Sequence, residues 1–437
     1  MSPPVDRLDA AAPLPARADV VIIGGGVIGV STALTLAERG LSVALVEKGH
    51  VAGEQSSRNW GWVRTAGRDP AEIPLVMASQ RIWAEMNRAT GAETGFARPG
   101  ILYLCESERE VAGYEAWLEE ARRFQVGSFM IDADALEKLL PGASKTYVGA
   151  MHTPDDCRAE PAHAVPAMAR AAMARGATIH EHCAARVIER SGGRVSGVVT
   201  EKGVIACDAV VVAAGVWSRL FLGNLGVDFP QLGIVGSVLR TRPLPGGPEP
   251  TVGTSTFSWR KRLDGGYTIS RRNASIAEIT PDSFRLFADF LPQLATMRRE
   301  IELRFTGRFF EELRRKRRWG ADETTIFEQV RTLDPAPNTE ILEEGLEHLM
   351  RAFPFFRGLE VAQRWAGMID ATPDGIPVIS PVAQIPGLYL SSGYSGHGFG
   401  IGPGAGRLTA DLVSGHAPLV DPAPFRLERF PRARRAA

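Results

Sequence analysis

A histidine among glycines, an arginine closing a polar loop, an aspartate before a turn and a tyrosine after one are the residues here whose types and settings could do chemistry. His397 sits in "GYSGHGFG", where the neighbours need no side chain for folding, so an imidazole there has a use beyond core filling. Arg64 ends "GEQSSRNWGWVR" and could grip a carboxylate; Asp370, just before "ATPDG", could pair with a cationic amine or only cap the turn. Tyr267 follows the Asp264-Gly265 turn of "SWRKRLDGGYTISRR", near Arg271 and Arg272. Neither a catalytic triad nor a carboxylate pair is found, which suits chemistry carried by a bound organic group. The four cysteines, Cys105, Cys157, Cys183 and Cys207, make no C-x-x-C pair, so neither a zinc site nor a redox disulfide is expected and no metal is assigned.

Such a group has to be held, and "DVVIIGGGVIGVSTALTLAERGLSVALVEKG" is built to hold one. An apolar strand, 20–23, runs into Gly24-x-Gly26-x-x-Gly29, then a helix ending near Arg39-Gly40 and a second strand, 43–46, that stops at Glu47. Gly24 permits the tight turn, Gly26 lets the backbone approach a pyrophosphate, Gly29 lets the helix lie close to the strand, and the helix N-terminus offers amide donors. Glu47, 23 residues after Gly24, can accept both ribose hydroxyls and would repel a 2′-phosphate, which disfavours NADP. NAD and FAD share the adenosine half, and the motif leaves both open.

At 437 residues, with 44% hydrophobic and 23% charged side chains, the chain has the composition of a two-domain α/β protein. Fifty basic against fifty acidic residues leave no global field for nucleic acid or an anionic membrane. No apolar run of about 18 residues and no signal-type leader is seen, so a cytoplasmic protein acting on small molecules is expected, with a loose tail over residues 1–18. After Glu47 the regular strand and helix pattern breaks into the polar loop that holds Trp60 and Trp62. Later come a hairpin pattern around "SGGR", the strand-to-glycine junction "CDAVVVAAGVW", and a second glycine-rich junction, "LSSGYSGHGFGIGPGAGRLTADLVSG". Glycine-rich junctions at both ends of the chain fit a cofactor with a second large polar group, and an isoalloxazine suits them better than nicotinamide.

In their order these pieces resemble the flavoprotein family of D-amino acid oxidase, glycine oxidase, D-amino acid dehydrogenase and sarcosine oxidase. The matching pieces are 24–47, Ser57-Arg58-Asn59, Glu160-Pro161, Ala213-Ala214-Gly215, Thr372-Pro373-Asp374-Gly375 and 393–406, nearly the whole chain. The resemblance implies FAD, bound without a covalent link because no cysteine lies where sarcosine oxidases attach theirs. It implies an α/β fold in which a Rossmann-like FAD-binding domain (19–92, 155–230 and 362–420) carries an inserted antiparallel-sheet substrate domain (93–154 and 231–361), with a C-terminal tail over 421–437. Cofactor contacts are implied at Gly24, Gly26, Val27, Ile28, Gly29, Glu47 and Lys48, and in the polar loop at Ser56, Ser57, Arg58, Asn59 and Trp60. Further contacts are implied at Val187, Ala214, Gly215, Gly367, Gly393, Gly396, His397, Gly398, Phe399 and Gly400.

The chemistry implied is oxidation of a C–N bond in an amine or amino acid, N-substituted or cyclic ones included, by hydride transfer to flavin N5. The imine then hydrolyses, and oxygen or a quinone-type acceptor takes the electrons. The helix start around Gly402 and Pro403 would stand at the flavin pyrimidine edge, and the sheet bearing Tyr267 would roof the substrate. Arg64 falls near the arginine with which sarcosine oxidases hold the substrate carboxylate. One departure affects substrate: where the family's amino acid oxidases read G-x-R-P-x-T-P-D-G, this chain has Gly367-Met368-Ile369-Asp370-Ala371-Thr372-Pro373-Asp374-Gly375. Ile369 replaces the carboxylate-gripping arginine, which leaves Arg64, Arg271 or Arg272 for that role. Segment 298–319, with nine basic and four acidic residues and interspersed phenylalanines, reads as a basic amphipathic helix for a membrane or partner subunit, or as a solvated face. A flavin-carrying subunit of a hetero-oligomer, inactive alone, is the competing reading.

Overall fold

Short, fully buried apolar runs make the first layer. Leu388–Ser392, Ala209–Val212, Val20–Ile23, Val43–Val46 and Thr178–His180 lie parallel in that spatial order, with Val378–Pro381 antiparallel on the outer edge. The computed structural model describes residues 2–8, 12–144, 146–272, 274–297 and 301–431. Strands covered on both faces read as continuous apolar runs, not alternating ones. Val20 and Ile22 share a core with the helices, whereas Val21 and Ile23 share one with Ile188, Val195 and Val198 of an antiparallel sheet formed by Ala185–Ser191, Arg194–Thr200 and Gly203–Ala206.

The helical layer rests on glycines. Helix Gly398–Ser414 carries glycine at 398, 400, 402, 404 and 406. Gly402 and Gly406, one turn apart, meet helix Val27–Glu38: a Cβ on Gly406 would stand 2.4 Å from Ser31 Cβ, and one on Gly402 2.6 Å from Val27 Cγ2. Gly400 and Gly404 present a second small face, where a Cβ would stand 2.8 Å from Trp62 O and 2.9 Å from Leu75 O. There Ser79 Oγ and Trp83 Nε1 donate to Gly400 O at 2.8 and 3.0 Å, and the Gly404 amide donates to Ser79 Oγ at 3.1 Å. Each interior glycine costs a helix about 0.5–1 kcal/mol relative to alanine. Close backbone approach on two sides offsets that cost.

A second sheet of ten strands follows the order Ile301–Arg304, Ser275–Glu278, Leu232–Thr241, Tyr267–Ser270, Ser258–Lys261, Thr251–Gly253, Ile101–Cys105, Gly149–Thr153, Phe129–Asp132, and Val361–Ala371 pairs along Leu232–Thr241. It is antiparallel except where Thr251–Gly253 meets Ile101–Cys105 and Ser275–Glu278 meets Ile301–Arg304. The whole is the expected α/β architecture, a Rossmann-like parallel core with a separate, mainly antiparallel sheet.

One buried ion pair ties the sheets together. Glu160, just before helix Pro161–Ala174, accepts from Arg260 Nη1 at 2.6 Å and Nη2 at 3.1 Å and from the Leu263 amide at 2.8 Å, while Arg260 Nε donates to Trp60 O at 2.6 Å. Burial pushes the Glu160 pKa up, but Arg260 and Arg262 outweigh it and hold the carboxyl at about 2.

Two expectations change. The basic run is not one amphipathic helix. Residues 298–300 lie outside the described residues, and the rest is strand Ile301–Arg304, the short helix Arg308–Arg314 and irregular chain. Three of its cations pair with acids outside it, Arg308 with Glu278, Arg317 with Asp282 and Lys316 with Glu323, while Arg304 and Arg315 pair with Glu302 and Glu312 within it. The described parts of both tails are also fastened: Ser2 Oγ accepts from Arg58 at 2.7 Å, the Asp6 amide donates to Ala162 O at 3.2 Å, and Phe425, Leu427 and Phe430 are buried.

Gly406→Val is expected to cost about 1–3 kcal/mol by overpacking against Ser31 and Thr32, read as a lower urea midpoint; an unchanged midpoint would show that the helices can separate freely. For Glu160 the folded pKa of about 2 lies below the ordinary value of 4.5, so its contribution is fully present above pH 4.5 and is lost as pH falls toward 2. The stability gap between wild type and Glu160→Gln should therefore shrink by up to about 3 kcal/mol over that window, measured by urea titration at each pH. A gap independent of pH would deny the ion pair its part.

Candidate active site

Steric necessity fixes the glycine turn. Gly24 has φ +113° and leaves no room for a Cβ, which would stand 2.4 Å from Ala213 O; a Cβ on Gly29 would stand 2.0 Å from Gly24 O. Gly29 thus serves the strand-to-helix contact and not the cleft. At the open side, Ser56 Oγ accepts from the Val27 amide at 2.9 Å. Glu47 accepts from the Gly25 and Gly49 amides, both at 2.7 Å, and burial pushes its pKa up. Each carboxylate oxygen keeps a lone pair for a hydroxyl.

These residues border a cleft that runs from Glu47 and Lys48 past Ser56, Asn59, Ala214 and Gly215 to Met368, Gly396, Gly398 and Phe399. A second cavity lies beneath the second sheet and shares Gln55, Asn59, Gly396 and Phe399 with the cleft. Strand alternation separates their walls, for Met368 faces the cleft and Ile369, with Ile234 opposite it in the ladder, faces the cavity.

The cavity is strongly basic. Arg58, Arg64, Arg68, Arg271 and Arg272 line it with Trp60, Trp62, Tyr103 and His397, and no Asp or Glu is among its described lining residues. Arg272 lies with its Cζ 4.2 Å from the centre of the Tyr103 ring. Arg271 is held by Glu344 and Arg58 by Asp334. Arg68 is buried, donates from Nε to Arg64 O at 3.3 Å, and has no hydrogen-bond partner for Nη1. Its pKa falls to about 10 by burial and by the neighbouring Arg64 charge, so it stays protonated near neutrality. His397 Nδ1 lies 3.1 Å from Glu72 Oε2. Burial, then Arg68, push the His397 pKa down to about 4, so it is a neutral imidazole whose Nδ1–H donates to ionised Glu72.

Comparison with known proteins decides the family. The model of the FAD-dependent oxidoreductase family DAO matches residues 19–412. The chain belongs to the DAO family of FAD-dependent oxidoreductases. The structure of the L-amino acid deaminase from Proteus myxofaciens in complex with anthranilate superposes with a TM-score of 0.93 at 35% identity, covering 98% of this chain and 96% of that one. The glycine oxidase of Pseudomonas putida is 26% identical over 94% of this chain and 98% of its own length. Sarcosine oxidase subunit beta of Rhodobacter capsulatus is 23% identical over 95% and 89%.

The cleft fits the FAD of this DAO-family chain. The Val27 helix start and Glu47 would take the pyrophosphate and ribose, and the start of helix Gly398–Ser414, uncapped by any side chain, points free amides at the far end. Gln55 Oε1, buried where cleft and cavity meet, has no partner in the protein.

Several expected residues stand elsewhere. Tyr267 belongs to the core: it is fully buried, its hydroxyl donates to Pro248 O at 3.1 Å, and its ring packs edge-on to Phe356. Asp370 borders the cleft but is no amine ligand in the cavity, because it accepts from the Gly393 amide at 2.7 Å and from Ser392 Oγ at 3.3 Å and so closes the loop. Arg58 is turned away from the cleft, toward Ala366 O at 3.0 Å and Ser2. Ser57 Oγ donates to Glu54 O, Gly367 packs on Gln55, and Gly393 packs on Thr372. Ala185 lines the cleft in place of Val187. Trp60, His397 and Gly400 line the cavity, and Gly402 meets Val27, so the helix start at the cleft is Gly398. Missed in the sequence were Gln55, Arg68, Glu72 and Tyr103; residues 64–72 form an irregular loop, so their spacing carried no signal of a shared face.

No cysteine borders the cleft, so heat- or acid-denatured protein should release its FAD into the supernatant; yellow colour retained by the precipitate would refute this. Gly26→Trp fills the cradle and should purify without visible flavin absorbance, whereas a variant with normal flavin content would move the pyrophosphate elsewhere.

Proposed function

We propose that this chain oxidises the C–N bond of an α-amino acid to the imine, which water converts to the 2-oxo acid. FAD, when bound, supplies the hydride acceptor at N5. The observation that carries this reading is the junction of a cofactor cleft with an arginine-lined cavity at Gln55, Asn59, Gly396 and Phe399. Residues 19–92, 155–230 and 362–420 are read as the FAD-binding part, 93–154 and 231–361 as the substrate-binding part. The L-amino acid deaminase and glycine oxidase relatives support an amino acid.

Arg64 is assigned the substrate carboxylate. It lines the cavity on the loop that also carries Gln55 and Asn59, so the carboxylate is held from the same segment that meets the cofactor. His397 acts as a neutral hydrogen-bonding wall kept in one tautomer by Glu72. It adds no positive charge that would repel an amine. The amides at Gly398 and Phe399 stabilise negative charge gathering at the cleft's end. Trp60, Trp62 and Tyr103 exclude water from the reacting side.

A second reading concerns the electron acceptor, oxygen or a quinone-type molecule. Phe284, Phe287, Leu291, Leu303, Phe305, Phe310 and Leu313 are exposed together around the basic run, and Phe305, Phe309 and Phe310 pack ring to ring. Such a patch is large for a lone soluble surface. It favours contact with a membrane or with a partner subunit, of the kind suggested by the sarcosine oxidase subunit relative. Activity and size of the isolated chain separate a self-sufficient enzyme from a subunit silent alone.

Arg64→Ala should lower kcat/KM for amino acids roughly 10- to 100-fold, the scale of one charge-assisted hydrogen bond, about 1.5–3 kcal/mol. Amines lacking a carboxylate should be oxidised as before, with FAD content unchanged. Equal losses on both substrates would remove Arg64 from the carboxylate site.

A further inference from the structure

We infer that the stretch 320–338 is a strap closed over the adenine end of the cofactor cleft, with Phe327 against the adenine ring and Arg331 as its fastening, so that FAD leaves when the strap lifts. The inference concerns retention of the cofactor and is independent of which C–N bond is oxidised.

The strap runs from one core to the other. Trp319, Ile326, Val330 and Leu333 pack against the core of the first sheet. Helix Thr339–Ala352, which follows, buries Leu342 and Leu346 with Leu239 and Ile269 of the second. Between them the chain makes one helical turn, Ile326–Gln329, and is otherwise irregular. Thr325-x-x-Glu328 sets that turn, for Glu328 Oε1 accepts from the Thr325 amide at 2.9 Å. The same carboxylate accepts from Arg186 Nε at 3.0 Å and Nη2 at 2.8 Å, which ties the turn to strand Ala185–Ser191.

Phe327, on this turn, is only 5% exposed, yet it lines the cleft with Ala185, Trp217 and Phe221. Lys48 shows which end of the cleft this is. Its Nζ stands 4.7 Å from the centre of the Trp217 ring, which packs edge-on to Phe327 at 5.7 Å, and donates to Val330 O at 2.8 Å. The aromatic corner therefore adjoins Glu47, whose carboxylate suits the adenosine ribose. The group beyond that ribose is adenine, and a purine face suits an aromatic wall.

The fastenings lie farther out. Arg331 pairs with Glu201 through both oxygens, Nη2 to Oε2 at 2.6 Å, and its Nη1 donates to Lys48 O at 3.1 Å. Glu54 accepts from the Leu333 amide at 2.9 Å. The strap's backbone lies directly on the loop after Glu47, since a Cβ on Gly49 would stand 2.2 Å from Arg331 O. The Arg331 and Glu201 side chains are 33% and 15% exposed, so water and salt reach the pair. A buried ring held by surface ties makes a cover that can lift while both sheets stay folded.

The test is the rate of FAD loss from the holoenzyme, read as the flavin absorbance left on the protein after timed incubation and desalting. Phe327→Leu keeps an apolar side chain but removes the ring face. It should lose FAD about tenfold faster or more, the scale of one base-to-aromatic stack. Arg331→Ala should lose it roughly two- to fivefold faster, and added salt should speed the wild type more than this variant. Arg39→Ala is the control, because it breaks an ion pair with Asp411 at the end of helix Val27–Glu38 remote from the cleft, and it should release FAD as the wild type does. Loss from Arg331→Ala no faster than from Arg39→Ala overturns the fastening, and loss from Phe327→Leu at the wild-type rate overturns the adenine contact. Rates that merely follow each variant's urea midpoint make the stretch a structural connection and overturn the strap. If Phe327→Leu does not fold, Arg331→Ala, altered near the surface, decides by the same comparison with Arg39→Ala.

Discussion

Helix Gly398–Ser414 can bring the end of the chain to the cofactor cleft only because nothing stands between it and helix Val27–Glu38. Gly402 rests on Val27 and Gly406 on Ser31. Val27 begins its helix and Gly402 is one turn from the start of the other, so the two helices meet near their N-termini and both positive ends open on one cleft. Gly400 and Gly404, on the other face, seat helix Ile73–Ala84 and strand Trp62–Val63 against the same helix. Those elements carry the polar loop's end, and with it Arg64. One helix therefore spaces both the cofactor's cradle and the substrate's wall.

The unit from Gly24 to Glu47 was legible in the sequence because its reasons are local: a strand, a turn with no room for side chains, a helix and a terminal acid follow one another within thirty residues. The second glycine run was legible as a junction but not in its purpose. Glycines beside a cofactor motif invite a cofactor role, and only the partner helix shows that 402 and 406 serve packing. Tyr267 failed for a related reason. All four residues of Tyr267–Ser270 are buried, so alternation could not say which face met the cavity. Glu160 and Arg260 stand 100 residues apart and carry no joint signal. The basic run misled because Thr306-Gly307 interrupts any helix, and because Glu278, Asp282 and Glu323, which pair with three of its cations, lie outside the run.

The replacement of the family's strand arginine by Ile369 gains a physical reason from where the loop arginines stand. Residue 369 pairs with Ile234 in the ladder and packs beside Gly396, on a wall of the cavity that Arg64 and Arg68 already occupy. A third guanidinium there would raise the cost of both, since like charges repel strongly in a space that excludes water. Strand arginine and loop arginines are thus alternative ways to supply one positive field. Moving the field to the loop changes what it is anchored to. Gln55 and Asn59, which border both the cleft and the cavity, and Arg64 and Arg68, which line the cavity, lie on one continuous segment. Asp156 pins that segment at Thr65 and Ala66, and Arg260 pins it at Trp60. With Arg64 as the proposed carboxylate ligand, the reach from carboxylate to reacting carbon would be set within that single pinned segment, and the strand would be left to present an apolar surface over the rest of the substrate.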